Sequence, residues 1–440
     1  MKKIIVAGAG HGGLVVAIKL SKVGYDVTVI EQKKEELLGY NWYDSIDINV
    51  FKKIGLPLPS TVHCSIQKDL TIYNPALSSP KSIPPKPSKP KFIINRKDLI
   101  RFLIEEARNQ KVKFLFNTKV IKPLIDDNKI IGIKTSNGKL YASLIVDALG
   151  ISSTLRTKLP RKFEIVDELS KYQTLYAYRG IYNQSYIPRE EAKYKTYITS
   201  GHNASISWAI IDKDEIDVLV GAFTHLTKNK INKKLKEIRK LNPYIGKRLI
   251  KEGNVYRIPV RSPFSLIVHN NYALVGDSAS MTVPIKGSGI TLSLIAGNML
   301  AKTIIENKDK DYSISNLWPY QYEFISKQAF SLISVDLFKI LMLRLTNKEL
   351  DFLFESGIIT EQNIIDIQNS KNIEIQEILS KCHQIITNKS LLKITTNIFL
   401  SIIKAKALCA QIPSTYNKKK VNKWIKNYDS FIKKQYKKIK

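Results

Sequence analysis

Ile4-Ile5-Val6-Ala7-Gly8-Ala9-Gly10-His11-Gly12-Gly13, then the apolar residues 14–23, Gly24, and Val27-Thr28-Val29-Ile30-Glu31, is the stretch that decides the fold. It reads as strand, glycine turn, helix, helix stop, strand and acid: a dinucleotide-binding βαβ unit. Each part has a physical task. Gly8 permits the tight turn, Gly10 lets the backbone approach a pyrophosphate, and Gly13 lets the helix pack close on the sheet. The helix start, with Gly12, offers free N–H groups and a partial positive charge to phosphates. Glu31 stands about 20 residues on, where an acid accepts hydrogen bonds from a ribose diol.

Further along, residues 33–38 read as a charged helix start. The loop Gly39-Tyr40-Asn41-Trp42-Tyr43-Asp44 mixes aromatic and polar side chains. It suits either a packed surface loop or a segment lying along a cofactor or closing on substrate. Residues 70–73 and 92–94 read as strands. Between them, residues 75–90 hold six prolines. Such a stretch excludes helix and central strand and is expected to be a long loop within a hairpin. Asn95 caps a helix whose entrance carries Arg96, a side chain with the reach to contact cofactor phosphates or to be an ordinary surface arginine. The buried strand Leu144-Ile145-Val146 leads into Asp147-Ala148-Leu149-Gly150, with Ser153 and Arg156 beyond, a loop expected against a nucleotide.

Residues 160–264 change character. Alternating segments separated by polar turns predict an antiparallel meander with one face free to line a pocket. Ile206, Trp208 and Ile210 share one strand face; Trp208 is either core or pocket wall. Then comes the second strong motif. A buried strand at 272–275 runs into Gly276-Asp277, then Pro284-Ile285-Lys286-Gly287-Ser288-Gly289, then a helix of small residues. Asp277 at a strand end can bind a ribityl or ribose hydroxyl. Gly287, Ser288 and Gly289 bring backbone N–H groups and a helix start to a point where negative charge develops. From residue 312 the pattern is helical, and the apolar run at 391–410 is broken by Lys393, Lys404 and Lys406, as in an amphipathic helix.

A chain of 440 residues is long enough for two or three domains. Met1-Lys2-Lys3 runs straight into the first strand, so a cytoplasmic protein is expected, and no apolar run is free enough of charge to span a bilayer. Its three cysteines, Cys64, Cys382 and Cys409, form no pair motif and exclude a CxxxxC redox disulfide or a four-cysteine cluster site. No metal site is expected. The 70 Lys and Arg against 38 Asp and Glu give a formal net charge of +32. That excess reads either as a coding bias toward Lys, Ile and Asn or as attraction to an anionic surface. The charge is mostly spread and no recognition motif appears, so nucleic acid is not an expected partner. The exception is the C-terminal end, where Lys418-Lys419-Lys420 and Lys433-Lys434 interleave with Trp424, Tyr428, Phe431 and Tyr436; it reads as a basic tail.

Taken in order, Gly8-x-Gly10-x-x-Gly13 with Glu31, Asp147-x-x-Gly150-x-x-Ser153-x-x-Arg156, and Gly276-Asp277 with Pro284-x-x-Gly287-x-Gly289 resemble the FAD-binding superfamily of p-hydroxybenzoate hydroxylase and geranylgeranyl reductase. The resemblance covers roughly residues 1–305. It implies that the first motif binds the ADP pyrophosphate, that Gly276-Asp277 holds the ribityl-phosphate part, and that the 284–289 turn sits by the isoalloxazine ring. It also implies a β-sheet domain that covers the flavin and carries the substrate. Asp147-Ala148-Leu149-Gly150 is more similar to the reductase branch than to the hydroxylases. That branch's substrate motif, Tyr-x-Trp-x-Phe-Pro, is matched only in part by Ile206-x-Trp208-x-Ile210-Ile211, without the first Tyr, the Phe and the Pro.

The expected fold is α/β, α+β overall: a Rossmann-like FAD-binding domain at 1–159 and 265–311, an antiparallel β substrate domain at 160–264, and a helical C-terminal region at 312–440. The expected function is that of an FAD-dependent oxidoreductase, a reductase driven by NAD(P)H that acts on an apolar small molecule. Two alternatives stand beside it. One is an FAD-dependent monooxygenase of an aromatic or polyketide-like substrate. The other is a flavoprotein held at the periphery of an anionic membrane by its basic tail. No residue claims a catalytic acid, base or nucleophile role; His202 and His225 read as surface residues.

Overall fold

The computed structural model describes residues 2–65, 70–84, 91–165, 169–188, 194–212, 214–368 and 389–439. Pro85, Pro87, Pro90 and Cys382 lie outside them. The opening apolar run forms β1 (Lys3–Ala7), and the residues after the glycines form α1 (His11–Lys22). Gly24 follows that helix at φ +90°, a conformation that costs a glycine little. Then come β2 (Asp26–Ile30), β3 (Tyr43–Ile46), α2 (Asn49–Ile54), β4 (His63–Ser65), β5 (Leu70–Tyr73), β6 (Lys81–Ile83), β7 (Lys91–Asn95) and α3 (Arg96–Asn109). The expected helix start at 33–38 is only a single 3-10 turn, Glu35–Leu37. The chain continues through β8 (Lys113–Leu115), β9 (Val120–Asp126), β10 (Lys129–Thr135), β11 (Gly138–Tyr141) and β12 (Leu144–Asp147). After these lie β13 (Thr174–Gln184), β14 (Tyr194–Thr199), β15 (Ser205–Asp212), β16 (Glu215–Ala222), α4 (Lys228–Leu241), β17 (Ile245–Pro259), β18 (Val268–His269), β19 (Tyr272–Leu274) and α5 (Ile290–Glu306).

Two large sheets organise these elements. The first has the order β18-β19-β12-β1-β2-β8 and is parallel from β19 to β8. β1 is flanked on both edges and covered on both faces, so Ile4 to Ala7 are fully buried, as a parallel sheet between helices requires. The second has the order β17-β13-β16-β15-β14-β5-β6 and is antiparallel apart from the β14–β5 pair. Two expectations change here. Residues 70–73 and 92–94 do not share a hairpin: β5 pairs with β6 and β14, whereas β7 pairs with β3 and β4. The proline-rich segment also contributes β6, a three-residue edge strand that lies between Pro80 and Pro84 and contains neither.

The second sheet is covered on one face. Tyr178, Tyr182, Ala209, Ile211, Val218 and Val220 point toward Ile231, Leu235 and Ile238 of α4. Period-2 alternation therefore turns Ile206, Trp208 and Ile210 to the opposite face, and all three are half-buried.

The rest is helical: α6 (Ile314–Phe324), α7 (Phe330–Arg344), α8 (Asn347–Glu355), α9 (Glu361–Gln368), a long helix Lys389–Ala410 and a C-terminal helix Lys418–Tyr436. Among the described residues no helix is long and apolar enough to cross a membrane. The C-terminal helix is not a free basic tail. Its Trp424, Tyr428, Phe431 and Tyr436 are all buried. The Trp424 indole donates to the Leu408 carbonyl at 2.8 Å, and the Tyr428 hydroxyl to the Pro263 carbonyl at 2.9 Å. The lysines occupy the other side of an amphipathic helix, so its dense charge is a solvated face. Burying each aromatic contributes about 1.5–3 kcal/mol.

A buried charge fastens this helix to the body. Lys339 of α7 is fully buried, 2.8 Å from Asp336 and 2.8 Å from the Tyr436 hydroxyl, and it also donates to the carbonyls of Tyr172 and Val260. The Tyr436 hydroxyl donates to Asp336 at 2.6 Å. Burial lowers the pKa of Lys339, and Asp336 opposes that shift. Lys339→Met leaves a buried carboxylate short of its cation and is expected to cost about 3–5 kcal/mol in urea denaturation. Adding Asp336→Leu should recover only part of that loss, because the Ser262 N–H and hydroxyl, each 2.7 Å from the Asp336 carboxylate, then lose their acceptor. A single variant as stable as the parent would remove the clamp from the account.

Candidate functional site

Three chain segments meet beyond the carboxyl ends of β1, β12 and β19, where open α/β sheets bind ligands. Gly8 has φ +99°, and its N–H donates to the Ile30 carbonyl at 2.7 Å. A Cβ at Gly8 would lie 2.4 Å from the Ala148 carbonyl oxygen; one at Gly13 would lie 2.6 Å from the Ala148 Cβ and 2.9 Å from Val6. A Cβ at Gly12 would meet Val275 at 2.7 Å and the Ser293 carbonyl at 2.8 Å. Gly12 thus sets α1 against α5, with its side toward protein. Gly10 differs. A Cβ there has one neighbour, the Ala148 oxygen at 3.2 Å, and open space otherwise. Gly10 is the N-cap of α1 with no side-chain cap, so the first N–H groups of the helix remain available.

Glu31 is held at this turn. Its carboxylate accepts from the N–H of Ala9 at 3.1 Å and of Lys33 at 2.9 Å. Glycine turn and acid are therefore one unit. Gly276 has φ +72° and opens the third segment. Asp277 is half-buried, with an oxygen 3.3 Å from where a Gly289 Cβ would be. Burial raises the pKa of its carboxyl, with Arg96 acting in the other direction. Gly287 has φ +67° and turns against Ile258 of β17, its N–H bonded to the Val283 carbonyl at 2.9 Å. Pro284 is buried in the same turn and Ser288 is exposed. Gly289 is the N-cap of α5, again with no side-chain cap. The open side of Gly10, the two uncapped helix starts and the anchored Glu31 suit a dinucleotide lying across the crevice.

Two expected contacts are used otherwise. Asp147 is fully buried and its carboxylate accepts from Ser153 and Tyr272, each at 2.5 Å, and from the Leu149 N–H at 3.1 Å. It shapes the 148–150 loop from beneath, its pKa pushed up by burial against these donors. Arg96 is neither a free surface arginine nor a free phosphate ligand. It is ion-paired with Asp44 and lies over the rings of Tyr40 and Trp42, at 5.8 and 5.5 Å.

Asp44 is the centre of a cluster that pattern reading did not find. Burial alone would raise its pKa, but Arg96 and Arg179 together hold it below the ordinary carboxylate value. Arg179 of β13 is buried, pairs with Asp217 at 2.5 Å and Asp44 at 3.5 Å, and donates to the Tyr43 carbonyl at 3.2 Å. Its guanidinium lies between Trp42, at 4.5 Å, and Trp208, at 5.6 Å. Tyr40 stacks on Trp42 with centroids 4.5 Å apart, and Tyr256 meets both edge-on. The 39–44 loop is thus packed, and it faces the site. The only signals for the cluster were Arg179 at an inward position of an apolar strand and Asp44 two residues from a Trp.

Two buried nitrogens here have no hydrogen-bond partner among the described residues: Trp208 Nε1 and His11 Nε2. His11 is the first residue of α1. Burial, with Arg96 nearby, pushes its pKa down to about 3, so it is neutral at pH 7. Orphaned buried polar atoms of this kind mark places where a ligand's polar atom would sit. His202 is exposed and bonds Tyr172 at 3.0 Å, and His225 packs on Tyr176, both away from this cluster.

Residues 6–65 match the NAD(P)-binding Rossmann-like domain family. The chain is 21% identical over 385 residues to a digeranylgeranylglycerophospholipid reductase of Sulfolobus acidocaldarius, covering 84% of each chain. Among solved structures, it resembles a geranylgeranyl bacteriochlorophyll reductase-like protein of Thermoplasma acidophilum at a TM-score of 0.71 and 18% identity, covering 90% of this chain and 99% of that one. A probable FAD-dependent monooxygenase of Pseudomonas aeruginosa matches at 0.54 and 18%, over 86% of this chain and 99% of that one. With the three converging motifs, these likenesses support an FAD-dependent oxidoreductase. The arrangement of its Rossmann-like domain and β-sheet domain is similar to that of the geranylgeranyl bacteriochlorophyll reductase-like structure.

Gly10→Val should fold and yet purify without flavin absorbance, since its side chain occupies the open space and little else. Gly13→Val should instead fail to fold, because its neighbours are fixed atoms of Val6 and Ala148. A fully yellow Gly10→Val protein would contradict the cofactor assignment. Asp277→Ala is expected to weaken FAD retention by about 1.5–3 kcal/mol, read as a raised dissociation constant in flavin titration.

Proposed function

We propose that the chain is a reductase that takes hydride from NAD(P)H and saturates an apolar, isoprenoid-like small molecule. The observation that carries this reading is the inner sheet face. Ile206, Trp208 and Ile210 stand half-buried there, on the same face as Arg179, whose partner Asp44 also holds Arg96 beside Asp277. An apolar wall next to a dinucleotide crevice suits a hydrocarbon chain that must reach the redox centre without water.

FAD, when bound, supplies the two-electron relay between donor and substrate. The protein's part is positional. The α1 start at Gly10 would take the pyrophosphate, Glu31 the adenosine ribose, and Asp277 the ribityl hydroxyls. The α5 start at Gly289 would favour negative charge at the ring end of the cofactor. Ile206 and Ile210 would exclude water, and Trp208 would offer its unpartnered indole N–H to a polar end of the substrate. Hydride from NAD(P)H and a proton from solvent add across one carbon–carbon double bond.

The Arg179–Asp217 pair beside Trp208 favours one second reading, oxygenation of a substrate that carries its own polar group. Contact with an anionic membrane belongs to the main reading as the route by which an apolar substrate arrives. Anaerobic NADPH or NADH titration of the purified yellow protein separates the two chemistries. Bleaching and substrate reduction should proceed equally well without oxygen; a strict oxygen requirement for product would leave only the monooxygenase.

A further inference from the structure

Away from the crevice, on the covered face of the second sheet, lies an open groove of about 1170 Å³. Six cationic side chains line it, Lys233, Lys236, Arg239 and Lys240 of α4 and Lys247 and Arg248 of β17, against one acid, Glu237. Glu237 is itself paired with Lys234 at 2.8 Å. α4 buries Ile231, Leu235 and Ile238 against the sheet, so its basic side is turned outward. A basic helix face alone would be an ordinary solvated surface. Here apolar side chains stand out beside it. Ile187 is 82% exposed and Tyr186 51%, on the loop that leaves β13, and Leu241 at the end of α4 is 40% exposed. Ser185 lines the groove and donates to the Tyr244 carbonyl at 2.8 Å, and the Tyr186 ring lies 6.4 Å from the Tyr244 ring.

We propose that this end of the sheet docks on an anionic lipid bilayer, with Ile187, Tyr186 and Leu241 entering the headgroup region and the lysines contacting lipid phosphates. This rests on the membrane element of the proposed function and names its surface. Charge complementarity selects the anionic leaflet. Protruding aliphatic side chains select a bilayer over a nucleic acid, which would be met by stacked aromatics. The groove takes the role that the packed C-terminal helix cannot, since that helix has its aromatics in the core.

The test is co-sedimentation of the flavin-loaded full chain with phosphatidylcholine vesicles, with and without phosphatidylglycerol. Binding should require phosphatidylglycerol and weaken as salt rises. The triple variant Lys236→Glu, Lys240→Glu, Lys247→Glu should lower partitioning by at least about fivefold per lysine, the equivalent of about 1 kcal/mol each. Ile187→Asp should lower it further. Leu400→Asp, on the exposed side of the Lys389–Ala410 helix, should leave it unchanged. The proposal is overturned if the triple variant binds like the parent, if Leu400→Asp is the variant that releases the protein, or if RNA and not vesicles carries it down. All variants should keep flavin absorbance and anaerobic reduction by NAD(P)H. A yellow, reducible protein that ignores vesicles sinks the docking surface alone, whereas a colourless one sinks the functional reading.

Discussion

The contact between the Gly8 turn and Ala148 is the constraint on which the rest of the structure depends. The backbone there is so close that a single Cβ at Gly8 or Gly13 would overlap the loop after β12. The approach is needed because β1 and β12 are neighbours in a parallel sheet and their loops must leave the same end. Gly12 repeats the device one turn later against α5, and Gly297 of α5 answers it, with its own Cβ position 2.4 Å from the Gly12 carbonyl. Segments more than a hundred residues apart are therefore pressed into one crevice. The Gly10 side stays open because everything around it is closed.

The second constraint is electrostatic. Asp44 pairs with two guanidiniums, and Arg179 is shared between Asp44 and Asp217 while lying over two indoles. An isolated buried arginine would be strongly unfavourable. Two carboxylates and two aromatic faces supply the compensation, and in doing so they bolt β13 of the second sheet to β3. The cluster thus joins the second sheet to the small sheet formed by β3, β7 and β4. An apolar substrate would run beside this polar knot, and Trp208, half-buried with a free N–H, is where the two characters meet.

The C-terminal third follows the same logic on a different surface. Lys339, Asp336 and Tyr436 bond one another in a buried region, and the aromatic side of the last helix packs there. The basic excess of the chain is then left on outward faces. At the end of α4, exposed apolar side chains share such a basic surface.

The sequence by itself determined the opening βαβ unit, because a glycine turn, a helix start and an acid at the end of β2 are local demands that only particular residues meet. The alternation of residues 205–222 likewise determined a sheet and which of its residues share a face, since the period of a strand is a backbone property. Local pattern could not say which strands pair. β5 and β7 are separated only by β6 and yet belong to different sheets, because β5 also pairs with the distant β14 and β7 with β3 and β4. Nor could it tell that Asp147 is satisfied internally, that Arg96 belongs to Asp44, or that the lysine-rich C-terminal helix is packed. Each of those depends on what lies across a contact: a carboxylate's role is set by the donors around it, and a basic amphipathic helix is a tail or a cover according to whether its aromatic face finds a core.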